Sequence, residues 1–174
     1  MKAGRDRRRA GALLTLAAVL LGGVWLDQRP PAPLASEPAA TPKWPQEAEV
    51  TQRFEQAVVM LHARQYEHAA TALNRVLTLA PRLPEAHANM GYALLGLARP
   101  RQARAFFEGA IELRPDLANA YYGLALAWEA EGDVAMATGA MRSYLHLARS
   151  ERPEHLARAR AALWEWESRR GGKR

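Results

Sequence analysis

The feature that most restricts the possible folds of this chain is a repeat with a period of 34 residues. Shifted by that length, three consecutive segments align: 50–83, 84–117 and 118–151. Small residues recur in two columns of this alignment and a larger apolar residue recurs in a third: Ala57, Gly91 and Ala125; Ala69, Ala103 and Ala137; Leu73, Phe107 and Met141. A period of this length indicates an array in which each unit buries its apolar face against the next.

Each unit is predicted to contain two helices. In segment 84–117, apolar residues recur at spacings of three and four on both sides of a break at residues 98–100. This spacing predicts two amphipathic helices joined by a short turn. A glycine within a helix costs about 1 kcal/mol relative to alanine. Gly91 therefore predicts a place where the two helices cross closely, with Ala103 opposite.

This pattern resembles the tetratricopeptide repeat. The likeness is strongest in the second unit, where it is carried by Gly91, Tyr92, Ala103, Phe107, Ala110 and Pro115. Two departures stand out: Arg53, His87 and Tyr121 replace a tryptophan that the repeat favours, and Arg149 stands where the third unit would have a proline. The resemblance implies an all-α, right-handed solenoid of helical hairpins with three repeats, at 50–83, 84–117 and 118–151.

Residues 152–170 are predicted to form a capping helix. An array of helical hairpins has open ends that another element must cover. Pro153 suits the first turn of a helix, and an apolar stripe follows it: Leu156, Ala159, Leu163 and Trp166. Residues 171–174 would then be a short basic tail.

The N-terminal segment differs from the repeats. Residues 1–9 are basic, and residues 10–26 form an uncharged, largely apolar run. Such a run is about 25 Å long as a helix, at the short end for a membrane span. We expect a transmembrane anchor with residues 1–9 in the cytoplasm, because basic residues favour that side. Cleavage as a signal peptide is the alternative, although no sequence of small residues typical of a cleavage site follows the run.

Residues 27–46 are predicted to be an extended linker. They include six prolines, which favour polyproline conformations over a packed core. Such a linker would reach up to about 60 Å and hold the repeats away from the membrane. The chain has no cysteine, so neither a disulfide nor a lipidated cysteine is possible.

Charge and composition argue against two classes of function. The net charge of +6 comes from the two ends of the chain rather than from the repeats, so we expect no nucleic-acid binding. The five histidines do not form a metal-binding motif, and no nucleophile motif surrounds the serines. We therefore predict no catalytic residue, no metal site and no cofactor.

The remaining surface that the family uses for binding is the concave groove, which is lined by the first helix of each hairpin. The resemblance places the following residues there, with His62 beside them: Phe54, Val58, Leu61, Glu85, Asn89, Tyr92, Asn119, Tyr122, Leu126 and Glu129. Aromatic and aliphatic side chains beside amides suit an apolar peptide segment held by its backbone. Only Asn89 matches the carboxylate-binding residues of domains that bind chaperone tails, so such tails are not the expected ligand.

Together these features predict a non-enzymatic adaptor in the bacterial inner membrane, with its repeats in the periplasm. The layout is similar to that of small membrane-anchored tetratricopeptide proteins that assist the assembly of envelope complexes, for example in c-type cytochrome biogenesis. Release into the periplasm after signal cleavage is the alternative location. Two alternative functions are a homo-oligomeric scaffold and a non-catalytic subunit of a membrane enzyme complex.

Overall fold

The computed structural model describes residues 44–171, with side chains from 46 to 169. Every regular element in that part is an α-helix, and there are seven: α1 (Trp44–His62), α2 (Tyr66–Leu79), α3 (Pro84–Gly96), α4 (Pro100–Leu113), α5 (Ala118–Ala130), α6 (Val134–Leu147) and α7 (Pro153–Gly171). None of these helices is both long enough and apolar enough to cross a bilayer. The predicted basic segment, the anchor, the linker up to residue 43 and the tail after residue 171 lie outside the described residues.

The helices are arranged as three hairpins followed by a capping helix. Each of α1, α3 and α5 packs against the helix that follows it, and α2 and α4 pack against the first helix of the next hairpin. The first helices also contact one another, α1 with α3 and α3 with α5, so they share one face of the array. The capping helix α7 packs against α6.

Helix α1 begins earlier than the repeat boundary suggested. It starts at Trp44, within the predicted linker and six residues before residue 50. A proline at position 45 is compatible with this start, because the first turn of a helix does not need its backbone N–H groups. The Gln46 side chain donates a hydrogen bond to the carbonyl of Leu79, which ties this first turn to the end of α2.

All nine residues of the three recurring columns are buried. The space beside Gly91 is filled by the ring of Phe107: a Cβ at position 91 would lie 2.7 Å from the ring. A Cβ at Gly123, on the next hairpin, would overlap the same ring. The glycine at position 91 is thus required by a side chain, whereas the sequence suggested a close backbone approach to Ala103.

The three hairpin turns share one backbone pattern. The second residue of each turn has a positive φ and the next N–H donates to a carbonyl five residues earlier, as in a Schellman motif. The positive-φ residues are Arg64 (57°), Ala98 (57°) and Gly132 (88°). The bonds run from Gln65, Arg99 and Asp133 to Met60, Leu94 and Trp128. The period of the sequence is therefore repeated in the geometry of the turns.

Two of the three residues that replace the repeat's tryptophan, His87 and Tyr121, join successive hairpins by hydrogen bonds. His87 Nε2 lies 2.8 Å from the carbonyl oxygen of Pro81, and the Tyr121 hydroxyl donates to the carbonyl of Pro115 at 3.1 Å. Both bonds span six residues, and both join a first helix to the proline that follows the preceding hairpin. The substituted side chains thus fix the same connection in two successive units.

Candidate functional site

A cavity of about 470 Å³ opens on the face that carries the first helices. We call it the groove. Helices α1, α3 and α5 contribute one part of its lining, and α6, the α6–α7 connection and α7 contribute the rest. Its lining residues are Val58, Leu61, His62, Asn89, Tyr92, Asn119, Tyr122, Tyr144, Glu151, His155 and Arg158. The volume lies in the range of about 300–1,000 Å³ that is usual for ligand pockets.

Six of the ten predicted binding residues line the groove: Val58, Leu61, Asn89, Tyr92, Asn119 and Tyr122. The other four, Phe54, Glu85, Leu126 and Glu129, are not among its lining residues. Phe54 is partly buried and packs against the core of the first two hairpins. The structure therefore brings part of the predicted set together in one concave surface.

Both predicted acidic residues are engaged in other contacts. Glu85 pairs with Arg114 across 2.6 Å. Glu129 accepts a hydrogen bond from the indole Nε1 of Trp166 at 2.6 Å and another from Arg169 at 3.1 Å. Two side chains of the capping helix thus bind the carboxylate of Glu129, which the repeat pattern had assigned to the binding surface.

Tyr92 connects two hairpins in addition to lining the groove. Its hydroxyl donates a 2.6 Å hydrogen bond to the carbonyl oxygen of Asn119, and its ring meets Phe107 edge-on with 5.0 Å between centroids. Burial, followed by the nearby Tyr122 hydroxyl, raises the pKa of Tyr92 well above its ordinary value, so the phenol stays protonated and donates. Replacement of this side chain would therefore affect stability as well as the groove.

Tyr122 and Tyr144 form the aromatic part of the groove next to the capping helix. Their ring centroids are 5.1 Å apart, and Tyr144 is buried. Burial, followed by the charge of Glu151, raises the pKa of Tyr144. The two rings give this part of the groove an aromatic surface.

A polar chain lies at the rim formed by α7. The Glu151 carboxylate accepts from His155 Nδ1 at 3.2 Å and from the Tyr144 hydroxyl at 3.5 Å. His155 Nε2 lies 3.0 Å from a guanidinium nitrogen of Arg152. Because arginine can only donate, Nε2 accepts this bond and Nδ1 carries the proton that is donated to Glu151.

Sequence reasoning missed four lining residues: Tyr144, Glu151, His155 and Arg158. They lie on the last helix of the array, on the connection after it and on the capping helix, outside the positions that the repeat assigns to its groove. The apolar stripe of α7 predicted which face of that helix packs, but the repeat period does not extend to its polar residues. No cluster of three or more histidine, aspartate or glutamate side chains that could hold a metal occurs in the described part of the chain.

The comparisons with known proteins agree with the fold of the described residues. The sequence profile of the tetratricopeptide repeat matches residues 84–117. The described fold is that of a tetratricopeptide-repeat domain. The prediction of an all-α array of helical hairpins is thereby confirmed. Its right-handed twist stays a prediction.

Several solved structures share the fold at low sequence identity. The Sgt2 domain from Aspergillus fumigatus has a TM-score of 0.63 at 18% identity, over 70% of this chain and 78% of that one. The second tetratricopeptide-repeat domain of human RPAP3, in complex with the HSP70 peptide SGPTIEEVD, has a TM-score of 0.62 at 16% identity, over 70% of this chain and 98% of that one. The Yersinia enterocolitica chaperone SycD, in complex with a peptide of the translocator YopD, has a TM-score of 0.65 at 13% identity, over 71% of this chain and 95% of that one. No curated protein matches the chain in sequence.

Proposed function

We propose that this protein is a membrane-anchored adaptor whose tetratricopeptide-repeat domain binds a peptide segment of a partner protein in the groove. The observation that carries the proposal is the lining itself: aliphatic and aromatic surface lies beside amide groups that can pair with a peptide backbone. Peptides are bound in two of the similar structures, the RPAP3 and SycD complexes. Nothing in the described residues points to catalysis.

The proposal includes a location. The basic residues 1–9 and the apolar run 10–26 support an inner-membrane anchor with the repeats on the periplasmic side. On that side the groove would meet envelope proteins during their assembly, and c-type cytochrome biogenesis is one such process. Reporter fusions after Gln46 test the location: we expect activity only on the outer side, and cytoplasmic activity from the intact chain would contradict it.

Site-specific photo-crosslinking in cells tests the binding surface. A photoreactive amino acid at Asn119, which is exposed and lines the groove, should form adducts with a partner protein. Glu112 is the matched control, because it is exposed on α4 and is not among the groove's lining residues. We expect adducts from position 119 that mass spectrometry assigns to another protein, and none of the same adducts from position 112.

Two outcomes would contradict the proposal. Adducts with a second copy of this chain alone would favour a homo-oligomeric scaffold instead. Equal adducts from positions 112 and 119 would place the binding surface elsewhere. As a second measurement, Asn89→Ala should reduce the yield of adducts from position 119, because the amide then no longer pairs with the peptide backbone.

A further inference from the structure

We propose that the capping helix determines which segments the groove accepts, with Arg158 binding the carboxylate of an aspartate or glutamate side chain in the bound segment. This inference rests on the proposed function and adds the chemistry of the ligand. The partner segment would therefore combine an apolar residue, packed on Tyr122 and Leu61, with an acidic one at the rim formed by α7.

The groove contains few charged side chains. Its charged side chains are Glu151 and Arg158, with two histidines beside them. Glu151 is already engaged by His155 and by the Tyr144 hydroxyl. Arg158 lines the groove, yet it forms no ion pair within the described side chains. The groove therefore presents, in Arg158, a guanidinium group without a carboxylate partner among the described side chains.

The two acidic residues that the repeat pattern assigned to this surface lie elsewhere. Glu85 pairs with Arg114, and Glu129 is bound by Trp166 and Arg169. Neither carboxylate is among the groove's lining residues, so neither adds to the negative charge of Glu151 there. Arg152 lies next to the rim through its bond to His155, and it adds a second positive charge there. Charge complementarity thus favours an acidic segment and disfavours a basic one.

The chemistry of arginine suits a carboxylate ligand. A guanidinium group presents a planar fork of N–H donors that fits both oxygens of a carboxylate. A bond between two charged groups is about twice as strong as a neutral one, so one such contact can decide between an acid and its amide. Asn89 and Asn119 would form hydrogen bonds to the main chain of the segment, while Arg158 would bind its acidic side chain.

A peptide array can test this with the full-length chain in detergent micelles. The probes are short peptides with apolar residues and one aspartate or glutamate, each paired with its asparagine or glutamine twin. All have an amidated C-terminus, so the terminal carboxylate cannot contribute. We expect the acidic member of each pair to bind about tenfold tighter or more, since a charge-assisted bond is lost in the twin. Raising the salt concentration should reduce only this preference.

Two protein variants connect the preference to one side chain. Arg158→Gln should bind both members of each pair equally. Arg160→Gln, an exposed arginine on the same helix outside the groove lining, should keep the preference of the unmodified chain. Circular dichroism should show the same helix content for both variants.

The outcomes separate this inference from the proposed function. Equal binding of acid and amide by the unmodified chain, or a preference that persists in Arg158→Gln, would overturn the inference while leaving the groove as a peptide site. A second set of neutral peptides with a free C-terminus is the control: if these bind and no amidated acidic peptide binds tighter than its amide twin, the groove prefers a terminal carboxylate and the inference is overturned. If no probe binds, or if binding is unaffected by Asn89→Ala, both the inference and the proposed function fail.

Discussion

At two junctions of the array, one large aromatic side chain is buried between neighbouring helices, and the groups around it differ. Between the second and third hairpins, the Phe107 ring lies fully buried against the glycines at 91 and 123. Between the third hairpin and the capping helix, the buried side chain is Trp166, whose indole N–H donates to Glu129. The first contact is entirely apolar, whereas the second needs a hydrogen-bond acceptor at its centre.

The edges of the two junctions are more alike than their centres. Arg104 pairs with Glu131 at 2.9 Å and lies 4.4 Å from the centre of the Trp128 ring. At the cap, Arg142 pairs with Glu167 at 2.6 Å. The Arg142–Glu167 pair is exposed, and such a pair contributes about 0–1 kcal/mol. The Arg104–Glu131 pair is more buried, with side chains 28% and 14% exposed. Gly91 and Phe107 belong to columns that recur with the period, whereas Gly123 and the side chains that attach the cap do not.

The largest expected effect is at the junction between repeats. Phe107→Ala should lower the free energy of unfolding by about 3–5 kcal/mol, because it leaves a cavity between two hairpins. Thermal unfolding followed by circular dichroism measures this. Since neighbouring hairpins stabilise each other, we expect one cooperative transition at a lower temperature rather than the loss of a single unit.

A second substitution at the same junction sharpens the test. Gly123→Ala should destabilise the otherwise unmodified chain by about 1–3 kcal/mol through overlap with the Phe107 ring. Added to Phe107→Ala, the same change should stabilise, because the ring is gone and alanine favours a helix. Gly139→Ala is the control: its Cβ would meet nothing within 4 Å, so it should stabilise by about 1 kcal/mol. Destabilisation of equal size in both backgrounds would show that the ring does not require the glycine.

The cap should respond more locally. Trp166→Ala removes a side chain that is 1% exposed and leaves Glu129 with one partner fewer. We expect amide hydrogen exchange to speed up in α7 and to change little in α3 and α4, because a terminal helix can detach without unfolding the array. The loss of global stability should be smaller than for Phe107→Ala.

The matched control for the cap is two residues away. Trp164 is 72% exposed, so Trp164→Ala should change stability by no more than about 0.5 kcal/mol. Equal effects of the two tryptophans would contradict the orientation of α7. Faster exchange throughout α3 and α4 in Trp166→Ala would instead show that the cap and the repeats unfold together.

The smallest expected effect compares equivalent turns in two repeats. Gly132 and Ala98 occupy the same left-handed position, where a Cβ costs about 1 kcal/mol. Gly132→Ala should therefore destabilise by about that amount, and Ala98→Gly should stabilise by somewhat less, because glycine also raises the entropy of the unfolded chain. Denaturant unfolding at matched protein concentration measures both. A change of the same sign for both would mean that the two turns are not equivalent.

The sequence was informative wherever the structure depends on local patterns. Apolar spacing and the recurring small residues predicted helical hairpins. The three recurring columns, which begin with Ala57, Ala69 and Leu73, are buried in every unit, as expected for a core that repeats with the period. The reason for Gly91 was only partly predictable, since the ring that fills its space comes from a neighbouring helix. The glycine at 123 was not recognised as part of the same contact, because position 123 falls outside the recurring small columns.

The candidate site was less predictable, and Glu129 shows why. Its place on a first helix follows from the period, yet its carboxylate is bound by a side chain 37 residues later in the chain. A helical period states which residues share a face, but it does not state which distant side chain will occupy a polar group on that face. The same limit explains why Arg158, on a helix outside the repeat, was missed.

The sequence by itself determined the helical hairpins, their period and the small residues at their contacts, because these depend on helix geometry and on burial that repeats with each unit. The tertiary structure alone decided the charge of the groove and the groups free to bind in it. The physical reason is that a carboxylate or guanidinium group pairs with whatever lies within about 4 Å, and residues far apart in the chain reach that distance only after the helices have packed.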